Sequence, residues 1–176
     1  MLAGYHESFL KKILYLFEGV VISDVTLIAD EDDEIVDNVV FFNIENDSVV
    51  GLYINGSNPF VTRSNIDDFD DFNLYALYEK LYEKKLVSFS PFKVECIRVF
   101  FHPSYNEVIS IYLSSSDFLS SVFCVFLNDE LRFYVNCKDD DLKVILEGNL
   151  IHFEKINFII FQRNINEPGW NLVDEE

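Results

Sequence analysis

Three histidines, three cysteines, two serine runs and a run of acids are the residues of this chain whose types could do chemistry. His6, His102 and His152 are the only histidines, and no two stand at metal-ligand spacing. A lone histidine is most often a structural residue, so no metal ligand and no general acid or base is assigned to them. Ser114-Ser115-Ser116 and Ser120-Ser121 lack the Gly-x-Ser-x-Gly elbow of a hydrolase nucleophile and read as turn residues. Cys96, Cys124 and Cys137 sit in apolar stretches, where a buried thiol is inert. Asp30-Glu31-Asp32-Asp33-Glu34 has the acidity of a calcium loop. An EF-hand needs Gly at loop position six and Glu at position twelve, and these places hold Ile35 and Phe41. The six glycines form neither a dinucleotide nor a P-loop spacing. No catalytic, metal or cofactor residue is therefore expected, and the chain reads as a binding protein, not an enzyme.

Charge is the feature that goes beyond the ordinary. The 31 Asp and Glu outnumber the 13 Lys and Arg, giving a net charge of -18. With 49% apolar and 16% aromatic residues, this is not the composition of a disordered acidic chain. Such a balance argues against direct contact with nucleic-acid phosphates or an anionic membrane. The acidity is weighted toward the amino-terminal part: residues 1 to 78 hold 15 acids and 3 bases, the remainder 16 and 10. Between Lys12 and Arg63 there is no base at all. A solvated face that keeps an apolar protein soluble accounts for part of this. Self-repulsion weakens a fold, however, so a long unpaired run also suits recognition of a basic partner through charge-assisted hydrogen bonds. Tyr53, Tyr75, Tyr78 and Tyr82 lie in the same region, and tyrosine among acids is an interface composition.

The elements that must position these residues follow from periodicity. Apolar residues at 5, 9, 10, 13, 14, 16 and 17 predict a first helix that stops at Gly19. Strands are expected at about 20 to 29, 35 to 44 and 49 to 54, in a meander that ends where Asn55-Gly56-Ser57-Asn58-Pro59 interrupts the pattern. Acids at 67 to 71 and Lys80, Lys84 and Lys85 predict a second helix over about 70 to 86, complementing its dipole at both ends. Further strands are expected at 92 to 101, 107 to 113, 121 to 127 and 131 to 137. Leu142 to Glu147 could be a helix behind Asp139 to Asp141, but the Gly148-Asn149 pair favours a hairpin into a strand from Leu150 to Phe161. The ending after Pro168 reads as irregular, with Trp170 pinning it to the body. The length suits one domain over 1–176, with a faint repeat of helix-plus-meander units at 1–59 and 60–176. The expected fold is α+β: two main helices packed on a mostly antiparallel sheet or sheets of about eight strands.

The runs DEDDEIVD at 30 to 37 and IDDFDDF at 66 to 72, with the small acidic α/β character of the whole chain, resemble the immunity proteins of bacterial toxin systems. These include the colicin-type and contact-dependent growth inhibition pairs. The resemblance implies a cytoplasmic protein that binds a cognate basic toxin domain, commonly a nuclease, and occludes its active site or substrate surface. Under that reading Asp30, Glu31, Asp32, Asp33, Glu34, Asp67, Asp68, Asp70 and Asp71 are the expected partner contacts, with no cofactor. Two other readings share the electrostatics: a DNA mimic that inhibits a nucleic-acid-binding enzyme, and an enzyme whose site is assembled from distant residues. Three cysteines, which cannot all pair within one chain, favour a reducing cytosol. The longest apolar window, Ile13 to Ala29, contains Glu18 and Asp24, and no membrane span is expected.

Overall fold

The computed structural model describes residues 5–45, 48–63, 83–102, 107–163 and 168–175. The chain order is α1 (Tyr5–Leu16), β1 (Val21–Ala29), β2 (Val39–Ile44), β3 (Ser48–Asn55), β4 (Asn58–Arg63) and β5 (Glu83–Lys93). It continues through β6 (Cys96–His102), β7 (Glu107–Ser114), β8 (Ser121–Phe126), β9 (Leu131–Val135), α2 (Asp139–Gly148), a 3-10 turn (Phe153–Lys155), β10 (Asn157–Arg163) and β11 (Trp170–Glu175). The strands form two sheets, ordered β4-β3-β2-β1-β5 and β11-β10-β6-β7-β8-β9, and every pairing is antiparallel.

One core lies between the sheets. From the first sheet it takes Val25, Val40, Phe42, Val50 and Leu52, from the second Ile97, Val99, Ile111, Val122 and Cys124. These are the alternate residues of their strands, as period-two side-chain geometry requires. Helix α1 seals part of the same core with Phe9 and Ile13, and Phe17 directly after it joins them, its ring meeting Phe42 edge-on at 5.4 Å. Helix α2 covers the opposite face of the second sheet, setting Leu142 and Leu146, one turn apart, on Phe100, Tyr112 and Phe123.

The expected α+β arrangement is therefore overturned: the described residues are mostly β, eleven strands in two sheets with two α-helices. The helical reading over 70 to 86 fails at its carboxyl end, because Glu83 to Leu86 open β5; the rest of it lies outside the described residues. Strand β5 pairs with β1 along its length, and that partner overrides the helical pattern of its lysines. The strand expected over 92 to 101 is two strands meeting at a corner. Val94 N–H donates to Val20 O of the first sheet at 2.8 Å and Glu95 N–H to Ser114 O of the second at 2.9 Å, so the chain changes sheets between these residues. Asn55 to Asn58 is a hairpin turn into β4, with Gly56 at φ 58.

The hairpin expected at Gly148-Asn149 is a helix end. Three acids occupy the first turn of α2, and Lys138 N–H donates to Asp141 Oδ2 at 2.8 Å. The helix stops at Leu150, φ 62, where Ile151 N–H reaches Leu146 O and Leu150 N–H reaches Glu147 O, both at 3.0 Å. The ending expected to be irregular forms β11 on β10. Trp170 does pin it, donating from Nε1 to Leu14 O at 2.8 Å. Gly19 sits at φ 65, a left-handed conformation that favours glycine, and the Arg163 guanidinium lies against the space a Cβ would take.

Candidate functional site: an acidic loop beside an open sheet edge

The acids at 30 to 34 form the connection between β1 and β2, and the loop is built from its own first residue. Asp30 Oδ1 accepts the N–H groups of Asp32 at 3.0 Å and Glu34 at 2.9 Å. Asp30 N–H donates to Glu34 O at 2.8 Å and Asp33 N–H to Asp30 O at 3.1 Å. This is aspartate acting as turn former, with Asp33 at φ 64. Asp30 is half-buried by that role, and Glu31, Asp32, Asp33 and Glu34 are exposed. One of them is neutralised from a part of the chain that sequence proximity hides. Lys85 of β5 places its ammonium 2.5 Å from Asp33 Oδ1 and 3.2 Å from Asp33 O. Among the described residues, Glu31, Asp32, Glu34 and Asp37 make no ion pair. Asp67, Asp68, Asp70 and Asp71 lie outside the described residues, as do Tyr75, Tyr78 and Tyr82. Tyr53 stacks on Phe60 at 4.8 Å within the first sheet and packs, with Val36 of the same connection, against Ile28, Val39, Phe41 and Val49.

Next to the loop the two sheets part to leave a cleft of about 300 Å³. Its first wall is Leu27, Ile35, Val36, Asp37 and Val39; its second is β9 with Glu130 before it, including Arg132, Phe133 and Tyr134. One hydrogen bond ties the walls together, from Leu131 N–H to Asp37 O at 2.6 Å. Ile35 is 41% exposed at the mouth, a large apolar side chain directly after the acids. Arg132 is held by both carboxylate oxygens of Glu130 and donates to Asn149 Oδ1 at 2.8 Å. Asn149 also donates to the Tyr134 hydroxyl at 3.1 Å, so the end of α2 fixes the polar tips of β9. The sequence reading of the loop missed Ile35, Asp37 and the whole β9 wall. Alternation in β9 was legible, but nothing local says that its edge meets the loop.

The thiols and imidazoles lie outside the lining of this cleft. Cys96, Cys124 and Cys137 are free and buried. Burial pushes all three thiols up, that of Cys137 to about 11. These are inert cysteines. His6 Nδ1 accepts the Val108 N–H at 3.2 Å, and burial lowers its pKa against a smaller opposing pull from Glu107. His102, expected in a loop, closes β6, and His152, expected in a strand, precedes the 3-10 turn. Among the described residues no three His, Cys, Asp or Glu are grouped to hold a metal ion, and no helix is long and apolar enough to cross a membrane. No protein-family model, curated protein or solved structure matches the chain.

Proposed function

We propose that this chain is a binding protein of the immunity kind, which neutralises a basic toxin domain by covering the surface that the toxin uses on its substrate. A nuclease is the simplest such partner, because its phosphate-binding Lys and Arg would meet the carboxylates. The observation that carries the reading is the preorganised acidic loop lying against a partly apolar cleft. Charge alone gives encounter rate and orientation, whereas Ile35, Phe133 and Tyr134 beside it supply the desolvated contacts that give affinity. Three free, buried thiols are consistent with work in a reducing cytoplasm.

The test is capture of the partner from the native host, followed by binding measurements on Asp32→Lys and Glu34→Lys. A basic partner should bind more weakly as salt rises, and the double reversal should cost on the order of tenfold or more in affinity, much of it in the on-rate. Tight binding that ignores both changes would remove the acidic loop from the mechanism. Displacement of the captured protein by duplex DNA would favour the DNA-mimic reading instead.

A further inference from the structure

The hydrogen-bond pattern of β9 assigns a direction to every backbone group in it. Leu127 N–H donates to Glu130 O at 2.8 Å and Asn136 N–H to Ser121 O at 2.8 Å, so 127 with 130 and 121 with 136 are hydrogen-bonded pairs. In the register of β8 with β9 Arg132 opposes Val125 and Tyr134 opposes Phe123, so these continue the series. Leu131, Phe133 and Val135 are then the alternate residues, whose N–H and C=O point away from β8. Leu131 confirms the parity, because its N–H goes to Asp37 O. Phe133 is next in line, lines the cleft, and its backbone groups have no partner among the described residues.

We infer that the cleft receives an extended segment of the basic partner as an added strand on β9, hydrogen-bonded to Phe133 and flanked by the acidic loop. The inference rests on the proposed function for the charge of the occupant, and on the β9 edge for its conformation. Strand addition gives affinity through main-chain bonds and specificity through alternate side chains. Here one set of side chains would face Leu27, Ile35 and Phe133. The other would face outward, where Glu31, Asp32, Glu34 and Asp37 are free to take Lys or Arg.

The other sheet edges differ from this one. Strand β4 carries Pro59, and β5 carries Pro91 with Lys84, Lys85 and Lys93, the residues that keep an edge from pairing. Strand β11 exposes Leu172 and Val173, but it lies at the far edge of its sheet from β9, out of reach of the loop. Among the described residues, β9 alone joins an edge without proline or lysine to a cleft and to unpaired carboxylates.

A blocked Lys-Val-Lys-Val-Lys peptide with a fluorescent label is the probe, titrated into the isotope-labelled full chain. The expected result is a salt-sensitive complex in which the Phe133 amide shifts and becomes protected from hydrogen exchange. N-methylation of alternate peptide amides along one edge should weaken binding by about tenfold or more, while methylation along the other edge leaves it intact. Ile35→Lys, at an exposed position, should abolish the complex without altering the melting temperature. Equal affinity for the two methylated peptides overturns strand addition, as does a complex that shifts residues 31–34 but not Phe133. No complex at any salt also overturns it, and capture of a basic host partner would then leave the proposed function standing on other contacts.

Discussion

His6 shows how a single residue is taken out of the list of chemical candidates by its surroundings. Its Nδ1 must be unprotonated to accept the N–H of Val108, a residue 1% exposed, and burial also disfavours the imidazolium. The folded pKa therefore lies below the ordinary 6.5. Above pH 6.5 neither state binds the proton and the full contribution of His6 is present. As the pH falls below that value, the unfolded chain takes up a proton that the folded chain refuses, and stability is lost until the folded pKa is passed. Urea midpoints measured from pH 7.5 to 5 should therefore fall more steeply for the natural chain than for His6→Phe. At neutral pH the same substitution should cost about 1 kcal/mol or more, because it leaves the Val108 donor buried and unpaired. Equal slopes would show that His6 titrates alike in both states.

At the scale of elements, α2 shows what local signals could and could not carry. Asp139 to Asp141 and the spacing of Leu142 and Leu146 announce a helix, yet Gly148-Asn149 also writes a hairpin. The choice is made by sheet two, which offers Phe100, Tyr112 and Phe123 to the apolar stripe. The helix ends on Leu150 in the left-handed region with its side chain 90% exposed, so it bears the backbone cost without any packing in return. Leu150→Gly should stabilise the protein by about 0.5–1 kcal/mol, a rise of a few degrees in the thermal midpoint. An unchanged or lower midpoint would mean that the strain at this position is negligible. Strands β1, β7 and β8 were legible for the opposite reason: their apolar runs are bounded by turns and leave no competing period. Strand β5 was not, because EKKL has no strand signature until β1 lies beside it. The acidic loop was legible as five letters, whereas Lys85 and the β9 wall come to it only through tertiary pairing.

For the whole molecule, the net charge of -18 acts in two directions at once. Within the fold it is repulsive, relieved locally by pairs such as Lys85 with Asp33 and Arg98 with Asp139, the latter joining β6 to the first turn of α2 at 2.6 Å. Most other ion pairs are exposed and contribute little. Unfolding lets the carboxylates separate, so the folded state suffers more from unscreened repulsion than the unfolded one. Toward a basic partner the same field is attractive. Added salt shortens the screening length from roughly 30 Å at 0.01 M to about 8 Å at 0.15 M and damps both effects. Sodium chloride raised over this range should therefore increase the urea midpoint of the isolated chain while weakening its complex with a basic protein. Opposite signs from one titrant separate an acidity used for recognition from one that serves solubility, since a purely solvating face would give the first response without the second. A midpoint that falls with salt would instead mean that attractive pairs dominate the folded state, and that the unpaired carboxylates of the 30 to 34 loop are too dispersed to repel.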